Sequence, residues 1–281
     1  MNPQLPHLSK LILPSLLTLG RGIKIKPAGI ALERMYDEVM VDQVALQKYV
    51  AMMEWSHPAP FAYLYILAQR AQTALMLDSA FTIAIPGLVH LSNELEQLAD
   101  YNMQEPFSME VSGEVPYKEE GHLIITFTVV FWQNGTKVAT CTSVYLAKRK
   151  RKQPGSRSPR KEEAIRSDKP VFSEEWQIPA RLGKQYAKAS GDINPIHTST
   201  LVAKAMGFPT RILHGWYSAG RALQSAETFL GKPMKAIAVD FKSPVYLPSM
   251  QMLKLWQTGE KITFQLSDSK TDRLTMQGTM D

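Results

Sequence analysis

The sequence predicts an α+β fold built twice, with an antiparallel sheet wrapped around one long central helix in each half. Three observations predict it. The chain of 281 residues is about twice the length of a common single domain. A stretch rich in charge, proline, glycine and serine divides it near the middle. On the two sides of that stretch, residues line up in the same order, with helical periodicity first and strand alternation after it. A hydrophobic share of 44% with 21% charged residues suits a packed core and excludes fibrous and disordered classes. The single cysteine, Cys141, excludes an internal disulfide or a thiolate metal cluster and sets the expectation of a reducing, cytoplasmic setting. The longest apolar stretches, Leu11 to Leu19 and Leu123 to Trp132, fall short of the roughly 20 residues of a spanning helix, so no membrane span is expected. One lysine ahead of a short, proline-broken apolar run predicts no signal peptide.

In the first half, Val41 to Ala51 (VDQVALQKYVA) parallels Ile178 to Lys188 (IPARLGKQYAK), which sets Tyr49 opposite Tyr186. Ile85-Pro86-Gly87 aligns with Leu213-His214-Gly215, Phe107 with Phe241, and Phe127 to Leu146 with the tail from Lys261. On this alignment Leu88 to Ala99 is the long helix of the first half, and Phe61 to Leu77 is an insert. Strand alternation follows Phe107, and Asn134-Gly135 predicts a two-residue hairpin turn. In the second half, Trp216 to Leu230 places Trp216, Ala219, Leu223 and Ala226 on one helical face. Gly231 is its expected C-terminal cap, with Pro233 just beyond. Small Ala219 and Gly220 would let this helix lie close against a sheet. Strands are predicted at Ala236 to Phe241, Met250 to Trp256, Lys261 to Leu266 and Leu274 to Met280. The expected organisation is therefore an N-terminal half at 1–147, a linker at 148–170 and a C-terminal half at 171–281.

Charge is concentrated in the linker. Lys148 to Lys169 holds ten basic and three acidic residues, so the rest of a chain of net charge +6 is close to neutral. Lacking apolar periodicity, the segment is expected to be a solvated, flexible connector. A landing strip for an acidic or phosphorylated partner is the sharper alternative. Nucleic acid is not an expected partner, because the flanking halves carry no basic stripe, zinc-finger spacing or aromatic RNA-binding signature.

The chemistry is concentrated in Tyr186 to Gly220. Asp192 and His197 stand five residues apart around Asn194-Pro195. Ser190-Gly191 is turn chemistry, Asp192 and Asn194 carry side chains that bond nearby backbone, and Pro195 forces Asn194 into an extended conformation. A stiffened loop of this kind holds a carboxylate and an imidazole at fixed separation, where they can relay a proton between adjacent substrate atoms. A helix is predicted at Thr200 to Met206, ending at Gly207. Gly215 then falls at the expected start of the long helix, where backbone N–H groups lack partners and the dipole is positive. Glycine there lets a carbonyl approach the main chain, as an oxyanion donor requires. His214 is expected to orient the helix start rather than transfer protons. Singly, each residue has an ordinary packing or capping role; together they specify an acid–base pair with an oxyanion donor. The six histidines show neither HExxH nor paired-cysteine spacing, and no glycine-rich phosphate loop occurs, so neither a metal nor a redox cofactor is expected.

Gly191-Asp192-Ile193-Asn194-Pro195-Ile196-His197 followed by His214-Gly215 resembles the MaoC-like family of (R)-specific enoyl-CoA hydratases and 3-hydroxyacyl-thioester dehydratases. The resemblance implies a double hotdog fold and reversible syn hydration and dehydration of 2-enoyl or (R)-3-hydroxyacyl thioesters of coenzyme A or acyl carrier protein. It implies Asp192 and His197 as the catalytic pair, Gly215 as the thioester-carbonyl donor, and Asn194 and His214 as supporting residues. At motif level it covers Gln177 to Val245. The first half has Met52 to Ala59 (MMEWSHPA) where the motif belongs, which implies a single working site, an acyl pocket widened by the degenerate half and no catalytic role for His57. Trp216 stands where relatives commonly have methionine, and its bulk bears on acyl-chain access. Two other functions stay open: acyl-thioester hydrolysis, and a non-catalytic module binding acyl thioesters or carrier protein. A monomer or homodimer is expected.

Overall fold

A computed structural model describes residues 3–23, 28–149, 166 and 168–281. The first half forms α1 (Leu8–Leu17), β1 (Ile30–Val39), α2 (Gln43–Met53), α3 (Leu64–Met76), β2 (Val89–Gln97), β3 (Phe107–Val115), β4 (Leu123–Gln133) and β5 (Thr136–Ala147). The second half forms β6 (Phe172–Ile178), α4 (Leu182–Ser190), α5 (Pro195–Thr198), α6 (Thr200–Ala205), α7 (Gly215–Leu230), β7 (Ala236–Phe241), β8 (Ser249–Thr258), β9 (Lys261–Asp268) and β10 (Leu274–Met280). Among the described residues the ten strands make one sheet in the order β1-β3-β4-β5-β2-β7-β10-β9-β8-β6. A single continuous sheet corrects the expectation of a separate sheet for each half. Read outward from its centre, the order of one half mirrors the other. The halves join where β2 pairs antiparallel with β7, Asn93 opposite Val239 and Leu95 opposite Ile237. The aligned Tyr49 of α2 and Tyr186 of α4 meet with ring centroids 6.2 Å apart, as equivalent residues flanking a pseudo-two-fold axis do.

Several expectations hold at the level of single elements. Asn134 (φ 51°) and Gly135 (φ 76°) turn β4 into β5, with Gln133 opposite Thr136. Helix α7 ends at Gly231 in the left-handed conformation. Two others fail. Leu88 to Ala99 is not a helix; its centre is β2, where Asn93 and Leu95 point inward and Glu94 and Glu96 outward. The spacing of Leu91, Leu95 and Leu98 fits a helix, but pairing on both sides, with β5 and β7, overrides local preference. The long helix of the first half is α3, inside the presumed insert. Ile85-Pro86-Gly87 therefore opens no helix, and Phe107, which begins β3, corresponds to the start of β8 rather than to Phe241 at the end of β7.

Helix α3 is buried along most of its length, with Gln69, Arg70 and Thr73 on its less buried side. Leu64, Leu67, Ala68, Ala71 and Leu75 are buried against inward residues of β3 and β4 such as Val111, Phe127 and Val129. Helix α7 buries Ala219, Ala222, Leu223 and Ala226. Gly220 does not face the sheet as expected; a Cβ there would lie 2.9 Å from Met53 Cε and 3.2 Å from Tyr49 Oη, so it admits α2. Of the expected linker, residues 150–165 and 167 lie outside the described residues. At its end, Arg166 pairs with Asp168 at 2.7 Å and lies 4.9 Å over the Trp256 ring. No described helix is long and apolar enough to cross a membrane.

Candidate active site

The Asp192 to His197 loop is built by its own side chains. Helix α4 ends at Gly191, whose φ of 78° turns the chain out of the helix. Ser190 Oγ donates to Tyr186 O at 2.8 Å and accepts from Asp192 N at 3.2 Å. Asp192 Oδ1 accepts from Asn194 N at 3.2 Å, and Asn194 Oδ1 accepts from Ile196 N at 3.3 Å. Asn194 thus caps α5 while Pro195 occupies its first turn, an arrangement that satisfies donors otherwise left orphaned. The side-chain hydrogen bond of Asn194 is thus to the backbone. The outcome is that His197, one turn into α5, is buried and set over the preceding carboxylate.

Both site imidazoles are locked into one tautomer. His197 Nδ1 lies 2.8 Å from Ile212 O, and His214 Nε2 lies 2.9 Å from Asp192 O. A carbonyl only accepts, so each of these nitrogens carries the proton. That leaves lone pairs on His197 Nε2 and His214 Nδ1, the latter buried without a hydrogen-bond partner among the described residues. The two rings stack with centroids 3.7 Å apart. His214 is also the residue before α7, but its side chain makes no capping bond to that helix; it contacts Asp192 O and stacks on His197 instead, contacts that the sequence did not reveal.

Desolvation pushes the His214 imidazole down to about 3, helped by His197 and opposed by Asp192. Desolvation lowers His197 as well, against Asp192 and the bond to Ile212. Burial works against ionisation of Asp192, yet the His214 and His197 imidazoles and the donors from Gln69 and Asn194 hold its carboxyl below the usual aspartate value. At neutral pH the site therefore holds one carboxylate and two uncharged imidazoles. Ligand-capable atoms of Asp192, His197 and His214 lie within 4.8 Å of one another. One water spans such a gap, because two hydrogen bonds of about 2.8 Å meeting at a tetrahedral oxygen reach about 4.6 Å. The same three residues are a cluster able to hold a metal ion, one that motif spacing along the chain does not reveal.

Gly215 opens α7 as expected. A Cβ at this position would lie 2.8 Å from the Phe241 ring, so glycine is what lets the helix start sit against β7. Beside it, Trp216 Nε1 donates to Ala62 O at 3.0 Å and its ring stacks on Tyr65 at 4.1 Å. Tyr65 stacks at 6.1 Å on His90, whose imidazole desolvation pushes down to about 4. Tyr65 and His90 thus bring the first half against Trp216 at the start of α7. Gln69 of α3 also comes from the first half, and its amide donates to Asp192 Oδ2 at 2.8 Å. Of these, Trp216 alone was singled out from the sequence; the signal for Gln69 was the polar Gln69-Arg70 pair interrupting the apolar Phe61 to Leu77 run. His57 lies away from this group and faces Glu227 Oε2 at 3.1 Å.

Comparison with known proteins gives the site its relatives. Residues 162–277 match the MaoC like domain. The chain is 26% identical over 216 residues, 76% of each protein, to 3-hydroxyacyl-thioester dehydratase X of Mycobacterium tuberculosis. In fold it is similar to the crystal structure of HtdX of that organism, with a TM-score of 0.73 at 21% identity over 89% of this chain and 99% of that one. A second protein of Mycobacterium tuberculosis, described as having a double hotdog fold, superposes with a TM-score of 0.56 at 10% identity over 98% and 97% of the two chains.

Proposed function

We propose that the chain, whose residues 162–277 match the MaoC like domain, belongs to the MaoC-like dehydratase family and interconverts 2-enoyl and (R)-3-hydroxyacyl thioesters of coenzyme A or acyl carrier protein by adding and removing water. The observation that carries this reading is that His197, its Nδ1 at 2.8 Å from Ile212 O, clusters with the Asp192 carboxylate with ligand-capable atoms within 4.8 Å. In hydration, the water lies between Asp192 and His197 Nε2. Nε2 takes its proton as the hydroxyl adds to C3, and the proton is then delivered to C2 on the same face. The Gly215 N–H at the start of α7 stabilises the thioester oxygen as it gains enolate charge. His214 holds the Asp192 backbone and stacks on His197, and Asn194 braces the loop. In this reading the molecule is a double hotdog, with residues 1–147 a half that has lost its motif and residues 171–281 the working half.

The test follows the enoyl absorbance of crotonyl-CoA and a medium-chain enoyl-CoA with wild type, Asp192→Asn and His197→Ala. Loss of absorbance by wild type alone, with 3-hydroxyacyl-CoA as product, is the expected result. Release of free thiol would point to hydrolysis instead. Binding without turnover, on carrier-linked substrates too, would leave a binding module.

A further inference from the structure

Among the described residues, the half without the motif reaches Asp192 through a side-chain hydrogen bond from Gln69. Helix α3 is buried along most of its length, and a polar group on such a helix persists only with a partner. For Gln69 that partner is Asp192 Oδ2, at 2.8 Å and 123 residues away in sequence. The other carboxylate oxygen, Oδ1, accepts from Asn194 N. With a donor on each oxygen, the carboxylate cannot rotate without breaking one of them.

Gln69 is itself held in place. The next residue, Arg70, donates from Nε to Pro6 O and from Nη2 to Leu5 O, both at 3.0 Å. Thr73 Oγ1 donates to Gln69 O at 2.7 Å, and Leu8 packs beside Gly191. We propose that Gln69 is the positioning residue for Asp192, fixing from the first half the orientation in which the carboxylate meets water and His197. The proposal rests on the assignment of Asp192 to the proton transfer. A donor to a carboxylate also favours its charged form, so the contact has a titration signature that a merely structural role lacks.

The test compares kcat/KM against pH for wild type, Gln69→Leu, Gln69→Glu and Asp192→Asn, alongside a carboxyl 13C titration of Asp192 assigned with Asp192→Asn. In Gln69→Leu, the acid limb and the Asp192 titration should both move up by about one pH unit, the weight of a hydrogen bond to a charged group. The plateau kcat should fall by about a hundredfold. Gln69→Glu, close in shape, should regain activity relative to Gln69→Leu as pH falls, because only a protonated carboxyl donates as the amide does. A Gln69→Leu protein that titrates like wild type at Asp192, or that loses kcat with its acid limb unmoved, overturns the proposal. The 13C titration needs no turnover. A shifted Asp192 beside a fully active Asp192→Asn would therefore sink the catalytic assignment and leave the contact standing.

Discussion

Replacing Gly183 with alanine sets two effects against each other. Helix preference alone predicts a gain, at most about 1 kcal/mol for glycine to alanine inside a helix. The new Cβ, however, would lie 2.5 Å from the backbone oxygen of His197 and 2.9 Å from Leu247 Cδ1. The leucine methyl can rotate aside, but the carbonyl can move only with α5. Restoring a contact of about 3.4 Å means parting α4 from α5 by roughly 0.9 Å, and overpacking of that order costs about 1–3 kcal/mol. The steric effect wins, for a net loss of about 1 kcal/mol and a fall in Tm of about 2–4 °C. Function suffers more, because roughly 0.9 Å at His197 exceeds the tolerance of about 0.5 Å for a catalytic group, and such a displacement costs about a hundredfold in kcat. Thermal denaturation and the enoyl-CoA hydration assay measure the two quantities independently. A Gly183→Ala protein with wild-type kcat and a raised Tm would refute the argument.

Because desolvation lowers both site imidazoles and Asp192 stays ionised, kcat/KM should hold as pH falls through the ordinary histidine value of 6.5. It should drop only in more acid solution; a limb at the ordinary value would contradict the neutral pair. Zn2+ should inhibit reversibly by taking the lone pairs of His197 and His214 together with Asp192, and a chelator should restore the rate. Unaltered turnover in excess Zn2+ would count against that cluster geometry. Glu227 accepts from Met234 N at 2.9 Å, and its carboxyl is raised by burial against the pull of Met234 and His57. Its folded value being raised, the stability it contributes is full below the ordinary glutamate range and is lost as pH rises through the raised value. Glu227→Gln should therefore gain on wild type as pH rises. Glu227→Leu strands the Met234 N–H and should cost about 1–3 kcal/mol in denaturant unfolding; equal midpoints for all three proteins would show the contact to be idle.

The second half was legible because its signals are local. A glycine cap, an Asn-Pro break and an apolar face each declare α7 or the motif loop within a few residues, and Asp192, His197 and Gly215 sit on those elements. The first half misled because the sheet outvotes local pattern. Leu91, Leu95 and Leu98 look helical until β5 and β7 pair on either side of them, and the true helix, its apolar run broken by Gln69, Arg70, Gln72 and Thr73, lies inside the segment read as an insert. What the first half supplies to the site, Gln69, Tyr65 and the Ala62 carbonyl, depends on contacts more than 100 residues apart in sequence, and no spacing rule encodes them. The His197–His214 stack is hidden for the same reason, because only the return of Ile212 to α5, through Ile212 N to Ile196 O, brings the two rings together.

The strand pair β2–β7 also bears on how far either half of the chain could stand alone. Deleting the first half would strip β7 of its neighbour β2 and expose a row of unpaired backbone donors and acceptors. The survivor would be driven to recruit a second copy of itself, β7 against β7. That assembly would hold two motif loops, and neither would meet a Gln69. The first half is thus the complement of the second, at the seam through β2 and at the motif loop through Gln69.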